Sequence, residues 1–167
     1  WSGSAYALSF GISLTTYYTA FANTFGVADV VNSSYGYDDP GGIYNETILT
    51  DAMSWRNPST LYVASAGNSG PNASTVEAPG AGYNAIAVAA LSGANGFTTV
   101  AGFSGRGPET FAYYDESSQV VRVEGVRAAV DIAAPGASLT SAFYGGQNGG
   151  NNTSLVGSTN LGSVANA

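Results

Sequence analysis

The ten residues 61–70, LYVASAGNSG, hold the group in this chain best suited to steady a negative oxygen. An apolar run breaks abruptly into Ala66-Gly67-Asn68-Ser69-Gly70. The glycines let another chain approach the backbone closely, and Asn68 presents a carboxamide N–H that can donate to an oxyanion. Taken alone, the same letters also spell an ordinary strand-ending turn. No histidine is present to carry a proton, and no cysteine to form a disulfide or a thiolate metal site. Asp38 and Asp39, ahead of Pro40-Gly41-Gly42, suggest a calcium loop. Calcium takes about six to eight oxygens, more than one Asp pair supplies, so a solvated loop is expected and no metal ligands are assigned.

Four more stretches give the turn a context: ADVVNSSYG (28–36), EAPGAGYNAIAVAAL (77–91), FSGRGP (103–108) and VDIAAPGASLTSA (130–142). In this order and at these separations, the five motifs resemble the subtilisin-like serine proteases, over most of residues 5–143. The resemblance implies that Asn68 is the side-chain oxyanion donor of an acyl-transfer reaction. It also implies that Ser34-Tyr35-Gly36 and Ser65-Ala66-Gly67 flank the main specificity pocket, where a polypeptide substrate adds as an extra strand. Glu77, two residues before the Pro of its turn, approaches the pocket bottom in the family pattern. A carboxylate there would favour Arg or Lys before the cleaved bond; the alternative is a solvated loop acid.

Such a protease also needs an Asp, a His and a Ser in a Gly-Thr-Ser turn. The Asp and His segments are expected ahead of this chain and the Ser after it, so the chain reads as the central portion of a catalytic domain, inactive alone. Asp131 resembles a structural Asp of the family rather than the catalytic one, and Gly157-Ser158-Thr159 lacks the order of the nucleophile turn. The expected partners are a polypeptide substrate and the remaining segments of the same protease, with a secreted or cell-surface location. No cofactor is expected, and the structural calcium common in the family has no ligands identifiable here. A non-catalytic peptide-binding pseudoprotease, and a structural surface protein, are the competing readings.

The elements that must position these residues follow from pattern. Residues 5–11 read as a strand, 12–25 as a helix with a broad apolar face, and 27–31 as a strand covered on both faces. The Gly/Pro/Asp-rich stretch 34–45 is a loop, followed by a helix over 45–55 with Asn45 as candidate cap and Glu46 in its first turn. Residues 61–66 give the next strand. Strand, helix, strand, helix, strand implies right-handed crossovers and a parallel sheet, an α/β architecture whose ligands sit at the carboxyl ends of the strands. Beyond Gly70 the chain is strand-rich, with expectations at 85–91, 98–104, 111–115, 119–125 and 128–134, and a hairpin turn at 115–118. Residues 109–129 are expected as an inserted β-arm in a partial catalytic domain spanning 1–167, and 145–167 as a flexible loop.

Composition excludes other classes. Eleven acids against four basic residues, all arginine, give a net charge of −7, and nothing here could neutralise a run of phosphates, so nucleic acid is not expected as a partner. With 44% apolar residues in 167, the chain can bury a core, yet no window approaches the roughly 20 apolar residues of a membrane span.

Overall fold

The computed structural model describes residues 13–142 and 161–166. At its centre four parallel strands, β1 (Val30–Ser33), β3 (Leu61–Ser65), β5 (Ile86–Ser92) and β8 (Ile132–Ala142), lie in that spatial order. Strand β9 (Leu161–Asn166) adds antiparallel to β8 at the edge. Two short antiparallel pairs complete the fold: β2 (Tyr37–Asp38) with β4 (Glu77–Ala78), and β6 (Glu109–Tyr114) with β7 (Val120–Arg127). The α/β architecture with a β-rich C-terminal half is therefore as expected.

Helix α1 (Leu14–Ala22) begins at Ser13, whose Oγ accepts the Thr16 amide proton at 3.1 Å. Its buried stripe is Tyr17 and Phe21, one helical turn apart. These rings meet Phe25 and the Tyr62 ring of β3, with Phe21 and Tyr62 edge to face at 6.0 Å. Helix α2 (Asn45–Arg56) closes the same core through Met53.

The start of α2 differs from expectation. Tyr44, not Asn45, is the cap position, and its own side chain caps nothing. Asp39 does that work from five residues upstream: Oδ1 accepts from the Ile43 and Tyr44 amides at 3.1 and 3.2 Å, and Oδ2 accepts from Thr47 Oγ1 at 2.6 Å. A carboxylate at a helix N-terminus satisfies orphan N–H groups and meets the positive end of the dipole. Asp39 is thus fully buried and fully bonded, which overturns the solvated-loop expectation for it, while Asp38 is exposed.

Three strand expectations also change. Strand β1 starts at Val30 and alternates exposed and buried residues, so it is covered on one face, not two. Residues 98–104 make a single antiparallel bridge, Val100 to Leu91, before turning, with Ser104 Oγ accepting the Ala90 amide proton at 3.0 Å. Residues 161–166 are strand rather than loop: β8 runs past the end of its pairing with β5, and its free edge takes up β9 from Ala137 to Ala142. The expected strand 5–11 and residues 145–160 of the expected loop lie outside the described residues.

The two faces of the sheet differ. Val31, Ser33, Tyr62, Ala64, Ala87 and Ala89 point to one side and are buried, beneath α1 and α2 or beneath Val76 and Ala81. Their neighbours on the other side include Val30, Leu61 and Ile132, which are 57%, 47% and 57% exposed among the described residues.

Candidate functional site

The carboxyl ends of β1 and β3 are hydrogen-bonded neighbours, in register from Val30 and Leu61 to Ser33 and Ala64. The chain continues from them into Ser34-Tyr35-Gly36 and Ala66-Gly67-Asn68, so both segments leave the sheet at the same end. A cavity of about 190 Å³ opens between them, lined by Ser34, Tyr35, Ser65, Ala66, Gly67 and Asn68, with Val88, Ala90 and Phe103 closing it. A second, of about 240 Å³, adjoins it along the open face of the sheet and shares Ser34 and Ser65. Six of the eight sequence-derived site residues therefore surround one space, and Gly36 and Glu77 stand behind it.

Behind that wall, β2 and β4 lay Asp38 opposite Glu77, which draws the Glu77 side chain beneath both segments. Glycine is required above it in two places. A Cβ at Gly36 would meet Glu77 Oε2 and Cβ, and one at Gly67, where φ is +90°, would strike the Glu77 side-chain carbons. Glu77 is 7% exposed and is no solvated loop acid. Its Oε1 accepts from the Asn68 amide at 2.9 Å and from Ser69 Oγ at 2.6 Å. Asn68 itself is exposed, and its carboxamide has no hydrogen-bond partner among the described residues. An Asn in an ordinary turn would spend that group on local backbone.

Two supports escaped sequence reasoning. Residues 103–106 brace the turn from its far side: Gly70 N–H donates to Phe103 O at 2.8 Å, Gly105 N–H to Gly67 O at 3.0 Å, and Thr75 N–H to Arg106 O at 3.1 Å. Gly105 is obligatory there, since a Cβ would collide with Ala66 O. The hairpin β6–β7 is the second. Arg127 donates to Ala81 O at 2.6 Å and Gly82 O at 3.1 Å while lying 4.3 Å over the Tyr83 ring, and Arg122 donates to Pro40 O at 2.8 Å. Arg122 and Arg127 on β7 were visible in the sequence, but their acceptors, being backbone carbonyls, left no signal.

Two carboxyls near this support are perturbed. Burial pushes Glu109 up, against the opposing pull of the Val76 amide it accepts at 2.8 Å and of Arg127. Burial likewise raises Asp51, which accepts from the Tyr83 and Asn84 amides. Asp131 clips β5 to β8, its Oδ2 accepting the Ala87 amide proton at 2.8 Å. Among the described residues, no three His, Cys, Asp or Glu are grouped to hold a metal ion, and no helix is long and apolar enough to cross a membrane.

Comparison with known proteins matches this geometry to a family. The profile of the subtilase family aligns with residues 8–164. A protein named subtilisin, from Bacillus sp. (strain TA39), is 35% identical over 120 residues, covering 70% of this chain and 26% of its own, so the chain spans about a quarter of that relative's length. Among solved structures, the S41 psychrophilic protease superposes with a TM-score of 0.50 at 28% identity, over 82% of this chain and 37% of that one. The prenylagaramide maturation protease PagA shares the fold, with a TM-score of 0.56 at 20% identity over 96% and 46%. With the family pattern running from residue 8 to residue 164 and the parallel sheet in place, the chain belongs to the subtilase family.

Proposed function

We propose that this chain is the central part of a secreted or cell-surface serine endopeptidase, supplying the oxyanion donor and the substrate-pocket walls. A Ser and its His and Asp partners come from segments outside residues 1–167, since the chain has no histidine, and alone it turns over nothing. Those segments pack on the open face of the sheet, because parallel sheets are stable when both faces are covered. A polypeptide lies along Ser34–Gly36 and Ser65–Gly67, bonded through its backbone. When the serine attacks the scissile carbonyl, the Asn68 carboxamide donates to the oxygen as it becomes negative, a stabilisation realised only in the transition state. Glu77 Oε2, which takes no hydrogen bond among the described residues, favours Arg or Lys before the scissile bond.

The observation that carries this reading is the meeting of two strand ends at one cavity whose rim bears an Asn68 side chain unpaired among the described residues. Labelling the intact source protein with an active-site serine reagent tests it directly, and absence of labelling favours the second reading, a peptide-binding pseudoprotease. The lack of histidine across all 167 residues is what keeps that second reading in play. In a labelling-competent protein, Asn68→Ala lowers kcat by about 10²–10³ with little change in KM, a magnitude taken from the side-chain donor of subtilisin itself. A loss confined to KM would remove Asn68 from the transition state.

A further inference from the structure

We propose that Glu77 is a positioning residue for the turn that carries Asn68, a task separable from any attraction it exerts on substrate. The kinetic arm of this proposal rests on the protease reading above; its structural arm does not. The Asn68 side chain has no partner among the described residues, so only the backbone sets its direction. That backbone is held from two sides. Phe103 and Gly105 brace it from one, and Glu77 holds the other with both its main chain and its side chain.

Glu77 N–H donates to Ala66 O at 3.1 Å, fixing the start of the turn. Its Oε1 then collects the Asn68 N–H and the Ser69 hydroxyl, fixing the middle. Two donors converging on one anionic oxygen make short, strong bonds, and they pin two successive residues to a side chain that is itself buried. Gly36 and Gly67 leave room for that side chain and for little else. Without the carboxylate, the Asn68 amide faces a buried gap and the φ of +90° at Gly67 loses a restraint.

Position and charge separate by substitution. A carboxamide oxygen can still accept both donors, so Glu77→Gln keeps the turn and discards the charge. Glu77→Ala discards both, and Ser69→Ala removes one of the two donors while leaving the charge. The experiment uses the intact protease, with kcat and KM on peptides bearing Phe or Arg before the scissile bond, and hydrogen exchange of residues 61–70 read by mass spectrometry. Expected for Glu77→Ala is a kcat on the Phe peptide lower by roughly tenfold, the scale of one charged hydrogen bond, with KM nearly unchanged and faster exchange. Glu77→Gln keeps the slow exchange while any preference for Arg disappears, and Ser69→Ala exchanges at a rate between those of the two Glu77 variants.

Unchanged Phe turnover and unchanged exchange in Glu77→Ala overturn the proposal, as does Glu77→Gln exchanging as fast as Glu77→Ala. Should Glu77→Ala not fold, slower exchange in Glu77→Gln than in Ser69→Ala supports it and equal exchange in the two overturns it. If the intact protein cleaves neither peptide, the protease reading fails while the exchange comparison still decides the role of Glu77.

Discussion

The two faces of the central sheet are built from the same strands and meet different fates. On one, Tyr62 is 1% exposed, wedged against Phe21 and Phe25; on the other, its chain neighbour Leu61 is 47% exposed. The covered face is stabilised by rings and methyls contributed by helices close in sequence. The open face leads toward the cavity at the strand ends and carries Asn32, Ser34, Val63 and Ser65 around the adjoining space. Stability and chemistry are thus divided between the sides of one pleat, and alternation along β1 and β3 assigns each residue to its side.

The strongest way to break this contrast is Tyr62→Ala. Removing a fully buried ring packed against Phe21 and Phe25 is expected to cost about 3–5 kcal/mol, seen as a lower urea midpoint. A cost below about 1 kcal/mol would mean that the covered face is not the stabilising one. Leu61→Ala sharpens the comparison: if the remaining segments of the protease cover the open face, the loss in the intact protein is about 2–3 kcal/mol. A loss within about 0.5 kcal/mol, the usual range for an exposed site, would leave that face free in the intact protein and remove the proposed packing.

The smallest effect concerns Glu109, the buried carboxyl that holds the Val76 amide. Its folded-state pKa is raised, so the native state keeps a proton that the unfolded chain has already released. Stability therefore falls as pH rises from the ordinary carboxylate range through the raised value, and the cost is complete above it. Glu109→Gln, which keeps an acceptor for Val76, should match or exceed the parent in urea midpoint at pH 8 and lose that advantage by pH 4. An equal loss at both pH values would instead mark the hydrogen bond as all that matters.

How much of this was legible depended on whether a residue's partner was near in sequence or in pattern. The parallel pairing of β1 and β3 could be read because a helical run separates their apolar ones, whereas no α-helix lies between β3 and β5 or between β5 and β8 to announce theirs. The meeting of Ser34 with Ser65 and Asn68 could be read because five motifs agreed on a family. Asp39 could not, since its burial depends on two backbone amides and Thr47, which pattern does not announce. Residues 161–166 were hidden for another reason: LGSVAN is a poor strand by propensity, and it pairs because β8 overruns β5 and offers a free edge. The Gly-rich wall was anticipated as room for a peptide, whereas the structure shows that two of its glycines make room for Glu77.

That last arrangement has a consequence for anyone redesigning this cavity wall. Gly36, Gly67 and Glu77 fill one volume between them, and truncating residue 77 to Ala would not admit a side chain at Gly67, where a Cβ meets the Glu77 Cβ at 2.6 Å and the φ of +90° strains any L residue. Single-site libraries would score both glycines as immutable. Combinatorial libraries that place Gly at 77 while enlarging residue 36 are where new pocket shapes would be found, and relatives that carry Gly at this place should be the ones free to vary residue 36 while keeping Gly67.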